Sequence, residues 1–249
     1  MYDNEDKYNN IIFSQNTKIR LNDKNAPFET RRNKNACVLG GSGSGKTRFI
    51  VKPNILQMNA SFVVTDPKGT LVTGAGMPLK HIGKDKSKIL NTVNFDKSMK
   101  YNPLAYVEKE EDILKLVETI IANTSGNNNQ NEDFWVKAEK LLYQSYLSLI
   151  INKFPKEEQH LGTLIDLISY STVKEDDENY KNAVDYLFDE LEKENSESFA
   201  VKQYKAYKLA AGKTAKSILI SCATRLAPLN IPAVRNLLKE DELNLRTLG

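Results

Sequence analysis

The residues with the most specific chemistry are consecutive: Gly40, Gly41, Ser42, Gly43, Ser44, Gly45, Lys46 and Thr47 fit G-x-x-x-x-G-K-[ST] at every fixed position. Glycines without Cβ let successive backbone N–H groups turn inward around a β-phosphate and form an anion nest. Lys46 is then placed to reach the β/γ-phosphates and the Thr47 hydroxyl to ligate Mg²⁺, while a helix opening here adds its positive dipole end. A Gly/Ser loop with a chance Lys-Thr is the plainer alternative. The strand-like run Ala36-Cys37-Val38-Leu39 just before the loop argues against it. The spacing therefore predicts a nucleoside triphosphate site.

Other candidates are weaker. Asp66 ends the apolar run Ser61–Thr65 and begins Asp66-Pro67-Lys68-Gly69, a sequence that also suits a plain turn. Lys202, Lys205 and Lys208 recur at intervals of three, interleaved with Tyr204 and Tyr207 and followed by Lys213 and Lys216. Positive charge with aromatic faces suits single-stranded nucleic acid, and a helix with snorkelling lysines is the alternative. Gly212-Lys213-Thr214 mimics the end of a phosphate loop, but Tyr207 stands where the first glycine belongs. The acidic runs Glu108–Asp112 and Glu175–Glu178 read as solvated helix ends or loops, the Arg31-Arg32-Asn33-Lys34 cluster as a solvated loop or a neighbour of phosphate, and Phe134 and Trp135 as core. His81 and His160 lack partners at metal-ligand spacing, and Cys37 and Cys222 read as small buried hydrophobes of a reducing compartment, so no metal cluster is expected.

The elements that must position these residues follow from the hydrophobic period. Asn10–Leu21 reads as a hairpin turning at Ser14-Gln15-Asn16. Strand, phosphate loop, helix and a second strand at Ser61–Thr65 make a βαβ unit, with Pro53 kinking or shortening the helix and a further strand at Lys88–Phe95. From Tyr101-Asn102-Pro103-Leu104 onward the period becomes helical. Helices are expected from Glu110, from Glu132 to about Ile151, and over Leu161–Tyr170, Asn179–Lys193, Ser198–Leu209, Thr214–Leu226 and Ala233–Leu238. The polar stretch Asn123–Asn131 between the first two is expected to be a mobile loop. The fold class is α/β: part of a nucleotide-binding sheet over 1–103, then an all-α domain over 104–249.

The net charge of +3 hides a strong asymmetry, with +9 over 1–103, −11 over 104–195 and +5 over 196–226, which suggests faces with different partners. No stretch approaches the ~18 apolar residues of a membrane span, and the polar start is no signal peptide. A soluble, cytoplasmic chain is expected.

Asn35–Val51 with Val-Lys-Pro-Asn54, Val64-Thr-Asp-Pro-Lys-Gly69, Tyr101-Asn-Pro-Leu104, Asp133-Phe-Trp-Val-Lys-Ala-Glu-Lys140 and Lys208–Ser221 together resemble the conjugative coupling proteins of type IV secretion systems, the TraG type, particularly those of Gram-positive mobile elements. The resemblance covers nearly the whole chain. It implies a RecA-like motor domain interrupted by an all-α domain, ATP and Mg²⁺ as cofactors, and a membrane-anchored ring, a hexamer, at the cytoplasmic face of the cell membrane. Its partners would be relaxase-bound single-stranded DNA and the secretion-channel proteins, with Lys202 to Lys216 in the substrate-receiving part. The family's membrane segments and its later apolar strand ending in Asp-Glu are not found, and the last residues read as the start of the return to the motor domain. Asp66 is accordingly assigned to the outer sphere of the magnesium or to structure, and the chain alone is expected to bind ATP without hydrolysing it. The alternatives are a docking module with a vestigial loop and another P-loop NTPase. A kinase or GTPase is disfavoured because neither an acceptor-site lid nor guanine-reading residues can be identified.

Overall fold

The computed structural model describes residues 9–21, 27, 29, 33–81, 87–124, 134–174, 177, 180–210 and 212–248. Its chain divides into two units, Met1–Ser87 with Leu245–Gly249, and Lys88–Asn244. Residues 88–103 group with the helices in this division.

The second unit is built around α4 (Phe134–Lys153), which packs against α3 (Glu110–Thr124), α5 (Leu161–Tyr170), α7 (Phe199–Lys208) and α8 (Gly212–Leu226). Because neighbours surround it, α4 buries Leu142, Tyr143, Tyr146, Leu147, Leu149 and Ile150 rather than a single stripe. Phe134 and Trp135, expected in the core, stand 57% and 39% exposed and meet edge to face at the N-terminal end of α4, beyond the helices that enclose its middle. On α3 one face is buried at Ile113, Val117, Ile120 and Ile121, while Leu114 is exposed.

Caps set the helix starts. Asn182 accepts from the Val184 and Asp185 amides at 2.8 and 3.0 Å while Asp185 Oδ2 accepts from the Asn182 amide at 2.9 Å, a capping box that starts α6 at Ala183–Glu194, later than expected. Ser198 caps α7, and His160 Nδ1 accepts from the Thr163 amide at 3.2 Å to cap α5. A short α9 (Pro232–Leu237) follows.

Asn102 closes the unit. Its Oδ1 accepts from the Leu104 amide at 3.0 Å, and its Nδ2 donates to the Gln159 carbonyl at 2.7 Å and the Lys239 carbonyl at 3.4 Å. Around it, the Tyr101 amide donates to Leu237 O, the Glu242 and Leu243 amides donate to Lys100 O, and Tyr106 Oη donates to Asp241. The Tyr-Asn-Pro-Leu segment therefore clasps the beginning of the helical unit to its end.

In the first unit, β1 (Asn10–Ile12) and β2 (Lys18–Arg20) form the expected antiparallel hairpin, with Ile11 opposite Ile19. Ser14 Oγ accepts from the Asn16 and Thr17 amides at 3.2 and 3.0 Å and shapes its turn. The runs expected as strands, Ala36–Leu39 and Ser61–Thr65, have no regular secondary structure and join no ladder among the described residues; Leu39 and Val63 stand 89% and 90% exposed, and Cys37, expected to be buried, is exposed with them. Lys88–Phe95 is likewise outside any sheet and ends in a 3₁₀ turn at Phe95–Lys97. The reason is that a β-run becomes a strand only when a neighbour offers its amides and carbonyls. Among the described residues the structure is thus mostly helical, with one two-stranded sheet.

The helix after the phosphate loop is short. It is wound as a π-helix over Thr47–Val51 and continues as α1 (Lys52–Leu56), with Pro53 next to the change of winding. Helix α2 (Thr70–His81) was not foreseen, since Gly74, Gly76 and Pro78 argue against a helix. Gly74 gives the Lys52 ammonium the space that a Cβ would fill, so α1 and α2 pack there. Arg31, Arg32, most of Glu175–Glu178 and most of the Asn123–Asn131 loop lie outside the described residues, as does the His81 side chain.

Candidate functional site

The loop Gly40–Thr47 turns tightly. Gly43 and Gly45 take φ of +77° and +83°, values that L side chains rarely adopt, and the Ser44 amide donates to Gly41 O at 3.3 Å. A Cβ on Gly40 would lie 2.6 Å from Ser44 Oγ, and one on Gly45 would lie 2.5 Å from the Phe49 ring. Lys46 curls over the loop, its Nζ donating to the Gly40 and Gly41 carbonyls at 2.5 and 2.8 Å. Thr47 is exposed at the start of its helix. Backbone curvature, an ammonium over the loop and a solvent-facing hydroxyl fit the phosphates and metal of a Mg·nucleotide. Gly40 to Gly45 would cradle the phosphates, Lys46 would neutralise them and Thr47 would hold Mg²⁺.

Asp66 takes the structural one of its two expected roles. Its Oδ2 accepts from the Leu71 and Val72 amides at 2.7 and 3.1 Å, and its Oδ1 from the Thr70 amide at 3.2 Å. The carboxylate therefore satisfies three orphan donors of α2 and sits at its positive end. Gly69, at φ +67°, closes the turn through its amide to Asp66 O at 3.1 Å.

Sequence reasoning missed Asn54. Its amide is bidentate to the Ile12 backbone, accepting from Ile12 N and donating to Ile12 O, each at 2.8 Å, and it donates to Ile50 O at 2.7 Å. Gln57 and Asn59 both donate to Asn10 O at 3.0 Å. Three amide side chains thus tie the hairpin to the helix behind the phosphate loop, and the Val-Lys-Pro-Asn motif acquires a purpose. Lys34 of the basic cluster donates to the Leu21 carbonyl at 2.6 Å and to that of Arg20.

In the helical unit, Tyr204 and Tyr207 are buried, so they offer no stacking face to bases, and that part of the expectation is withdrawn. The Tyr204 ring lies on Phe188, centroids 3.7 Å apart, and its hydroxyl donates to Asp185 at 2.7 Å. Burial pushes the Tyr204 hydroxyl pKa up. Burial would raise the Asp185 pKa too, but hydrogen bonds from Lys208, the Asn182 amide and Tyr204 outweigh it and hold the carboxyl below its ordinary value. Lys202 pairs with Glu197 and Lys208 with Asp185, both at 2.8 Å, and Lys205 pairs with Glu192. Lys213 and Lys216 lie exposed on α8. The lysine heads face outward while the tyrosines between them face the core.

Two of the other motifs meet. Glu139 on α4, 1% exposed, accepts from Arg225 Nε at 2.6 Å and from Ser221 Oγ, and Arg225 Nη1 donates to Thr124 Oγ1 at 3.1 Å. This pair locks α3, α4 and α8 together. Among the described residues, no cluster of ligands suits a metal ion and no helix is long and apolar enough to cross a membrane.

No curated protein matches the chain. The family described as Type IV secretory system Conjugative DNA transfer, in contrast, matches it over residues 5–249. The chain therefore belongs to the type IV secretory system conjugative DNA transfer family.

Proposed function

We propose that the chain is the ATP-binding and substrate-facing part of a DNA-transfer motor that delivers relaxase-bound single-stranded DNA to a secretion channel. The observation that supports this most directly is the loop itself, with left-handed Gly43 and Gly45 and Lys46 drawn over the Gly40 and Gly41 carbonyls. The exposed apolar runs at Val38–Leu39 and Val63–Val64 would become strands of a RecA-like sheet once neighbours outside the described residues pair with them. DNA phosphates would meet Lys202, Lys205, Lys208, Lys213 and Lys216, since exposed ion pairs such as Lys202–Glu197 are weak enough to exchange. Ring assembly, as a hexamer at the membrane, belongs to the same reading. With Asp66 engaged by α2, the chain holds Mg·ATP without turning it over by itself.

The test is titration with Mg·ATP. Lys46→Ala removes a charge-assisted contact worth about 1.5–3 kcal/mol, so affinity falls roughly tenfold or more. Equal titration curves for wild type and variant would leave the helical unit as a docking module with a vestigial loop. Steady turnover by the chain, abolished by Lys46→Ala, would overturn the binding-only assignment.

A further inference from the structure

The second large feature of the first unit is a pocket of about 500 Å³ between the hairpin and the helix behind the phosphate loop. Its apolar walls are Ile12 at the end of β1 and Phe13 just after it, and Phe49 and Pro53 from the helix. Ser14 and Gln15 of the hairpin turn, with Lys18 of β2, supply the polar edge. That size and lining, mostly apolar with a few polar groups on one side, is the make-up of a small-molecule site.

Phe49 connects this pocket to the phosphate loop. It lies two residues after Thr47, its amide donates to Gly45 O at 2.8 Å, and its ring occupies the space a Cβ on Gly45 would need. One ring therefore touches the loop and lines the pocket. The hairpin side is held in place as well, because Asn54 grips both backbone groups of Ile12 and Gln57 grips Asn10 O. We infer that this pocket receives the purine base of the nucleotide whose phosphates lie on Gly40–Thr47, with Phe49 as the stacking surface. The inference rests on the phosphate-loop reading above.

The chemistry favours a base over an unrelated apolar ligand. A purine is flat, stacks on an aromatic ring, and needs a donor and an acceptor at its rim. Ser14 Oγ already accepts from the Asn16 and Thr17 amides, so the Gln15 side chain, which carries both a donor and an acceptor, is the group suited to read the base edge. Lys18 at the rim suits the ribose hydroxyls.

The test compares Mg·ATP with Mg·tripolyphosphate, which keeps the phosphates and lacks the base, by calorimetric titration of the whole chain. Phe49→Ala lowers ATP affinity roughly tenfold, the scale of one base–aromatic stack, and leaves tripolyphosphate affinity unchanged. Because Phe49 also touches Gly45, Phe13→Ala on the hairpin is the second variant, and it shows the same selective loss. Unchanged ATP affinity in both variants, or an equal loss for both ligands, overturns the base pocket while the phosphate site stands. Failure of the wild type to bind either ligand overturns both.

Discussion

At Asp66 three backbone amides of α2 converge on one carboxylate, and the number of donors decides what the side chain can do. A carboxylate holding Thr70, Leu71 and Val72 has few lone pairs left for the outer sphere of a magnesium ion. Asp66→Ala should therefore destabilise α2 by about 0.5–2 kcal/mol, the worth of a helix cap, and speed amide exchange at Thr70–Val72. Mg·ATP affinity should stay unchanged, and a tenfold loss measured with magnesium but not without it would return Asp66 to the metal. Lys46 differs in kind. Its two acceptors are carbonyls of the loop itself, Gly40 and Gly41, so phosphate oxygens can replace them without unmaking any helix.

At the scale of elements, α7 and α8 present lysines of two sorts. Lys208 is bound to Asp185, which also caps α6 and accepts from Tyr204, so changing it disturbs the core as well as the surface charge. Lys202, Lys205, Lys213 and Lys216 are exposed and can be altered without that penalty. Replacing these four by Gln should flatten the log–log salt dependence of single-stranded DNA binding by about 0.7 for each DNA phosphate no longer neutralised, read from affinities at several salt concentrations. An unchanged slope would leave them as solvated residues. The helices were legible because their signals are local: Asn182 and Asp185 are three residues apart, as are Ser198 and Val201, and the spacing of Ile113, Val117, Ile120 and Ile121 reports one face. The runs at Val38 and Val63 join no ladder among the described residues, because period and apolarity describe a strand's own preference, whereas a ladder also needs a second strand.

On the scale of the whole molecule, the helical unit has a continuous core around α4, while in the first unit Ala75 is the buried apolar side chain among the described residues. The helical unit depends on a buried charge at Glu139. Arg225→Met should lower its stability in urea by about 3–5 kcal/mol, because the carboxylate is then left buried without its partner. The double variant Glu139→Leu/Arg225→Met should recover most of that loss, and equal instability of single and double variants would show that the pair is not the source.

The sequence alone determined the tight glycine-rich turn, the positions of most helices, the hairpin and the membership of a conjugative DNA transfer family, because each rests on residues close together in the chain or on motifs in fixed order. Only the tertiary structure decided that Tyr204 and Tyr207 turn inward, that Asp66 serves α2, that Asn54 grips the hairpin and that Glu139 meets Arg225. Those outcomes depend on which distant segment arrives beside each side chain. Local pattern limits that choice, and packing together with the satisfaction of buried polar groups makes it.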